Sequence, residues 1–151
     1  MTVTFVDTDI LIDAARNTET AVKCLEQLEQ TSELAASVIT EMELLVGCRS
    51  KAELKKTEQF LNRFQIIPLT AQICDSAVLL LKRYRLSHGL LIGDSLIAAS
   101  AISSGNPLIT KNQRDFRFIQ DLTLLGLVNL ISHLSVIFNH PLLISGAAGG
   151  A

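Results

Sequence analysis

The stretch Val3-Thr4-Phe5-Val6-Asp7-Thr8-Asp9-Ile10-Leu11-Ile12-Asp13 decides how this chain folds. Its first four residues are an apolar run rich in β-branched side chains and too short for a helix, so they read as a strand. Asp7 ends that strand, and Ile10, Leu11, Ala14 and Ala15 then place one apolar face on a helix. The same order of strand and helix returns along the chain. A helix over Glu19 to Gln30 turns Val22, Leu25 and Leu28 inward, and Leu34 to Ala36 reads as a small buried strand. Val38 to Val46 reads as a helix stopped by Gly47, and Ser50-x-x-Glu53 as a capping box for an amphipathic helix reaching Phe64. Ile66 and Ile67, closed by Pro68, form a third strand. Thr70 caps the next helix, in which Ile73, Ala77, Leu80, Leu81 and Tyr84 recur at helical spacing. Gly93-Asp94 starts another, nearly all apolar from Leu96 to Ile102, which should lie against the sheet. Gly105-Asn106-Pro107 is a sharp break before a fourth strand, and Asp121 to Leu125 holds a fifth, edge strand. This alternation argues for an α/β fold, a three-layer α/β/α sandwich around a central, mostly parallel sheet of four to five strands.

Length and composition agree with one globular domain: 151 residues, 48% hydrophobic and 19% charged. A net charge of −2 gives the whole chain no pull toward nucleic acid. A nucleic-acid enzyme would then need bridging metals or a local basic patch, for which Lys51, Lys55, Lys56, Arg63, Arg83, Arg85, Lys111, Arg114 and Arg117 are the candidates. Cys24, Cys48 and Cys74 lack C-x-x-C spacing, which argues against a zinc site or a disulfide framework; each sits in a helical pattern and is expected to be a buried thiol in a reducing cytoplasm. No basic start followed by an apolar core opens the chain, so no signal peptide is expected. After Asp121 there is no charged residue, and residues 126–151 read as an uncharged C-terminal extension, partly flexible at its Gly/Ala-rich end. Its apolar run is broken by Asn129, Ser132, His133, Ser135, Asn139, His140 and Pro141, which makes it a poor membrane span. No phosphate-binding glycine loop and no Ser/His/acid spacing is present, and His88, His133 and His140 share no metal-ligand spacing.

Chemistry is carried by four acids, Asp7, Glu43, Asp94 and Asp115, each placed near an apolar run. Residues just beyond the carboxyl ends of parallel strands meet in one crevice, so acids distant in sequence can converge there. Several carboxylates in one cleft repel one another and need a cation, and oxygen ligands suit Mg²⁺ or Mn²⁺. Two such ions activate a water and stabilise the leaving oxygen of a phosphodiester. Each acid also has a structural reading. Asp7 or Asp9 can cap the helix beginning near Ile10, Thr40-x-x-Glu43 is itself a capping box, Asp94 suits an N-cap, and Asp115 suits a turn. Four coincidences at one sheet edge favour the cluster.

Val6-Asp7-Thr8-Asp9-Ile10-Leu11-Ile12-Asp13 resembles the opening motif of PIN domains, usually Asp-Thr-Asn-x-Leu-Ile. Thr40-x-x-Glu43-Leu44-x-x-Gly47, Asp94-Ser95-Leu96-Ile97-Ala98-Ala99 and Thr110-x-Asn112-x-x-Asp115-Phe116 resemble that family's later motifs, in order. The likeness runs from residue 3 to about residue 125 and implies a PIN-like nuclease domain over 1–125. Within the superfamily the short chain is similar to the VapC toxins of toxin–antitoxin pairs, a match strengthened by Arg83 to Leu90. The resemblance implies a Mg²⁺- or Mn²⁺-dependent endoribonuclease, silenced by a cognate antitoxin and homodimeric. Asp7 and Asp94 would bind metal directly, Glu43 and Asp115 directly or through water, with Thr110 in support and water as the nucleophile. Two departures stand out. Asp9 occupies a position where Asn is commoner, and helix capping is the role expected of it. Asn112 occupies a position where some relatives carry another acid, which would weaken a second metal.

An antitoxin tail is expected as an amphipathic helix in a groove beside the first four helices, with Met42, Leu45, Leu25 and Leu28 as candidate lining residues, for each of which core packing is the commoner fate. A sparse aromatic complement favours RNA recognition by shape and phosphates, as in transfer or ribosomal RNA. Two other readings stay open. Phe5 to Ile10 also resembles the Asp-x-Asp signature of haloacid-dehalogenase-like phosphatases, although Gly93-Asp94 then precedes Ile109-Thr110-Lys111 in the wrong order. A PIN-like fold can also serve as a non-catalytic binding module, which would show no metal affinity dependent on Asp7 and Asp94.

Overall fold

The structure, a computed structural model, describes residues 2–127. The extension expected over 126–151 lies outside the described residues from 128 onward. Five strands form one sheet, β1 (Thr2–Val6), β2 (Ser32–Ser37), β3 (Gln65–Ile67), β4 (Leu108–Ile109) and β5 (Leu124–Leu125). Their order is β3-β2-β1-β4-β5 and every pairing is parallel. The helices are α1 (Thr8–Ala15), α2 (Glu19–Thr31), α3 (Val38–Val46), α4 (Lys51–Leu61), α5 (Ala71–His88) and α6 (Ile92–Ser104). The expected α/β sandwich is present, with a sheet that is parallel throughout its described strands.

Period-two alternation along the strands sorts the two cores. Val6, Leu34, Ala36 and Ile109 point to one face, where they pack with Ile10 and Leu11 of α1, Leu25 and Leu28 of α2, Leu44 and Leu61. Phe5, Ala35 and Leu108 point to the other, against Tyr84 of α5, Ile97, Ala98 and Ala101 of α6, and Phe116. Both faces of the sheet are covered, so β1 and β2 bury Thr4, Ser32 and Ser37 along with their apolar residues. The α6 run predicted to lie on the sheet does so: Ile97, Ala98, Ala99 and Ala101 are fully buried.

Local signals account for most helix ends. Ser50 accepts from the Glu53 N–H at 3.1 Å while Glu53 accepts from the Arg49 N–H at 2.6 Å, a capping box closed one residue before the expected partner. Thr70 accepts from Ile73 N–H at 3.2 Å. Helices α5 and α6 stop at Gly89 and Gly105, whose φ angles of 72° and 66° are left-handed positions open to glycine. Helix α4 ends at Leu61, short of Phe64, because the chain must turn into β3 and buries Phe64 in doing so.

The thiols depart from expectation. Cys24 is buried on α2, but Cys48 lies in the loop after α3 and Cys74 is exposed on α5. No helix among the described residues is long and apolar enough to cross a membrane.

Candidate functional site

Strand order reverses at β1, which has β2 on one side and β4 on the other, so the sheet opens a crevice at the carboxyl ends of β1 and β4. Asp7 stands there, immediately after β1, with Thr110 immediately after β4. The Thr110 hydroxyl donates to Asp7 Oδ2 at 2.8 Å across the reversal, and the Thr8 N–H donates to Oδ1 at 2.8 Å. Asp7 is therefore both N-cap of α1 and the buried centre of the crevice. The structural and functional readings of Asp7 are compatible.

The other acids approach from separate elements. Glu43 comes from α3, Asp94 from the first turn of α6, Asp9 from the first turn of α1, and Asp115 from the 3-10 turn Gln113–Asp115. Burial pushes Asp94 up to about 7, and the charges of Asp7, Asp115, Glu43 and Asp9 push in the same direction. Asp94 thus reports that all five carboxylates share one field. Asp7 is raised by burial against the opposing hydrogen bond from Thr110, with Asp9 and Asp115 adding to the rise. Glu43 is raised by burial and by Asp7, against a hydrogen bond from Thr8. The crevice brings the predicted quartet within electrostatic reach of one another, and among the described residues no three His, Cys, Asp or Glu side chains are close enough to hold one metal ion.

Three structural readings of these acids are corrected. Glu43 belongs to no capping box: β2 runs to Ser37, whose hydroxyl accepts from Ile39 N–H at 3.2 Å and makes Ser37 the N-cap of α3. Thr40 consequently falls inside the helix, fully buried, with its hydroxyl 3.0 Å from that of Thr8. Asp94 is no N-cap, because Leu91 holds that place without a side-chain bond. Asp9 caps nothing; its carboxylate accepts from the Asn112 side-chain amide.

Sequence reasoning missed Thr8, Thr40 and Gly93 as site residues. A Cβ on Gly93 would stand 3.3 Å from Glu43 Oε1 and 3.9 Å from Ile39 Cγ2, so the missing side chain makes room for the Glu43 carboxylate. The only signal was Gly93 beside Asp94, which reads equally well as a helix start. We expect Gly93→Ala to weaken divalent-cation binding about tenfold without lowering the melting temperature, since alanine favours the helix. Calorimetric titration with Mn²⁺ beside thermal melts checks this; unchanged affinity would contradict it.

The candidate basic patch does not form as a free surface in full. Arg63 pairs with Glu29, Lys111 with Asp13 at 2.6 Å, Arg83 with Gln120 at 3.1 Å, and Arg85 donates to the Gly89 and Leu90 carbonyls. Lys51, Lys55 and Lys56 stay exposed on α4, and Arg114 and Arg117 flank Asp115. The expected groove is corrected too: Leu25 and Leu28 are in the core, and Leu45 is half-buried.

This donor set suits a hard divalent cation, because it is built of carboxylate oxygens held at high mutual repulsion. Metal-free stability carries the signature of that repulsion. Folding lifts Asp94 from 3.8 to about 7, so between those values the folded protein keeps a proton that the unfolded chain has released. Its contribution to stability is therefore lost as pH rises through that window, and Asp7 and Glu43 act in the same sense. In EDTA the protein should melt lower near neutral pH than near pH 5, with Mg²⁺ closing the gap. A melting temperature that climbs with pH across this range would refute the cluster's electrostatics.

Known proteins place this geometry in context. The PIN domain profile matches residues 4–121. Ribonuclease VapC10 of Mycobacterium tuberculosis is 35% identical over 118 residues, covering 78% of this chain and 88% of its own length. Ribonuclease VapC19 of the same species is 37% identical over 119 residues, covering 78% and 94%. Among solved structures, a chain of VapBC2 from Rickettsia felis, crystallised with a DNA fragment from its promoter, superposes with a TM-score of 0.71 at 28% identity, over 82% of this chain and 98% of that one. A toxin–antitoxin complex from Klebsiella pneumoniae gives 0.68 at 32% identity, over 80% and 95%.

Proposed function

The chain belongs to the PIN domain family, among the VapC-type toxin ribonucleases, and from that premise we propose that it is a Mg²⁺- or Mn²⁺-dependent endoribonuclease restrained by a cognate antitoxin. Membership replaces the phosphatase reading of Phe5 to Ile10. The observation that carries the proposal is the convergence on one crevice of Asp7 at the end of β1, Glu43 of α3, Asp94 of α6 and Asp115 of the 3-10 turn, where burial and the neighbouring charges push Asp94 up to about 7. Such a group is poised to exchange its proton for a cation near neutral pH. When bound, the cation supplies Lewis-acid stabilisation of the phosphoryl oxygens and of the attacking water.

The side chains divide the remaining work. Asp7 and Asp94 would hold the cation directly, and Glu43 and Asp115 would complete the site directly or through water. Thr110 fixes the rotamer of Asp7 through its 2.8 Å bond, so the carboxylate is oriented before any ligand arrives. The Thr8 hydroxyl, 3.0 Å from that of Thr40, faces Glu43 and opposes the rise that burial imposes on its carboxyl. Arg114 and Arg117, exposed and flanking Asp115 in sequence, would meet substrate phosphates, while the lone tyrosine, Tyr84, is buried. Recognition by shape and backbone follows, which suits structured transfer or ribosomal RNA.

The protein should also form a homodimer. Met42 and Val46 on α3, and Leu91 and Ile92 at the start of α6, are 53%, 86%, 59% and 71% exposed. Large apolar side chains gathered beside an acidic cleft favour burial against a protein surface. The free thiols support a cytoplasmic location.

The test is incubation of the purified, antitoxin-free protein with total cellular RNA in Mg²⁺, in Mn²⁺ and in EDTA. Discrete fragments that need the cation support the proposal. Absence of both cleavage and cation binding would favour the non-catalytic module.

A further inference from the structure

Asp9 adds a charge to a cleft already crowded with acids. It sits at the second position of α1, and its charge raises Asp7, Glu43 and Asp94 alike. One side chain meets it directly: the Asn112 amide donates to Asp9 Oδ2, across 103 residues of sequence. Asn112 is held in place in turn. Its backbone N–H donates to Thr110 Oγ1 at 3.0 Å, and that hydroxyl donates onward to Asp7 Oδ2. The turn after β4 therefore grips Asp7, the N-cap of α1, through Thr110, and Asp9, in the first turn of α1, through Asn112.

The chemistry of this contact is directional. An amide donates to a carboxylate; two facing carboxylates have no donor between them and repel. The contact can be made either way round, with the amide on α1 and the acid on the turn, or the reverse. Both versions hold one negative charge in the same place.

We propose that Asp9 and Asn112 are a reciprocal positioning pair, exchangeable together but not singly, through which α1 contributes the cleft's fifth carboxylate in place of the turn after β4. Asn112 keeps the Asp9 carboxylate fixed at the cleft edge, and one oxygen of Asp9 stays free to face a cation. The role at the cation rests on the functional reading above; the pairing itself does not.

Four proteins test it: wild type, Asp9→Asn, Asn112→Asp and the double exchange. In EDTA at one fixed pH, Asn112→Asp should lower the wild-type melting temperature by about 5 °C and leave that of the Asp9→Asn protein within about 1 °C. In Mn²⁺ titrations the same change should tighten binding about tenfold in wild type, and the double exchange should return to within about threefold of wild type. Equal drops in both backgrounds would overturn the pairing. Coupling in stability with Mn²⁺ affinity unmoved across the four would overturn its role at the cation. Should no variant bind Mn²⁺, the metal reading fails while stability coupling still upholds the pair.

Discussion

Replacing Asp94 by Asn is expected to reduce cation-dependent RNA cleavage about a thousandfold or more while raising the melting temperature of the metal-free protein near neutral pH. Both effects have one cause. Asn fills the same volume in the first turn of α6, so Ser95, Ile97 and Ala98 beneath it remain packed. It cannot carry the charge that a cation needs. It equally escapes the repulsion of Asp7, Asp115, Glu43 and Asp9, which together with burial pushes Asp94 up to about 7. A carboxylate near a helix N-terminus normally stabilises the helix, and here burial and repulsion outweigh that gain. Melts with and without EDTA, beside cleavage assays, read both effects. Undiminished cleavage would remove Asp94 from the site, and a lower metal-free melting temperature would show that Asp94 stabilises the fold.

Phe116→Ala is expected to destabilise the protein by about 3–5 kcal/mol, an effect measurable as a shift in the urea midpoint. Phe116 is 1% exposed and packs with Phe5, Leu108, Ile97 and Ile119 beneath the turn that carries Asp115. Its N–H also closes that turn, donating to Gln113 O at 3.2 Å. Truncation leaves a cavity at the sheet and frees Asp115 from its anchor. Phe116→Leu keeps most of the volume and should cost about 1.5 kcal/mol, so it remains assayable if the alanine variant does not fold. In that milder variant cleavage should fall more than stability, since Asp115 is the adjacent residue. A cost under about 1 kcal/mol for the alanine change would show that Phe116 does not anchor the turn.

Elements whose signals are local were legible. Helix α3 was read at Val38 to Val46 and is found there, because its apolar spacing and its stop at Gly47 are written in consecutive residues. The second strand was read three residues too short: Ser32 and Ser37 look like turn residues, yet both are buried, Ser32 bonded to the Thr4 hydroxyl at 2.8 Å. That extension made Ser37 the cap and pushed Thr40 inside α3, which is why Thr40-x-x-Glu43 misled. Helical periodicity marked Leu25 and Leu28 as apolar positions of α2 without saying what covers them. Parallel packing against Val6, Leu34 and Ala36 took them into the core.

The sequence alone determined the class of fold and the order of the acidic motifs, since period-two runs, caps and breaks act over a few neighbouring residues. It also led to the expectation that Asp7, Glu43, Asp94 and Asp115 meet at one sheet edge, because parallel strands carry their carboxyl ends to the same side. Tertiary structure decided what those acids touch. The reversal of strand order at β1 sets Thr110 on Asp7 and Asn112 on Asp9, each across 103 residues. No local propensity encodes such a contact: it exists only after β4 has paired beside β1, where burial removes water and makes each remaining donor and charge count.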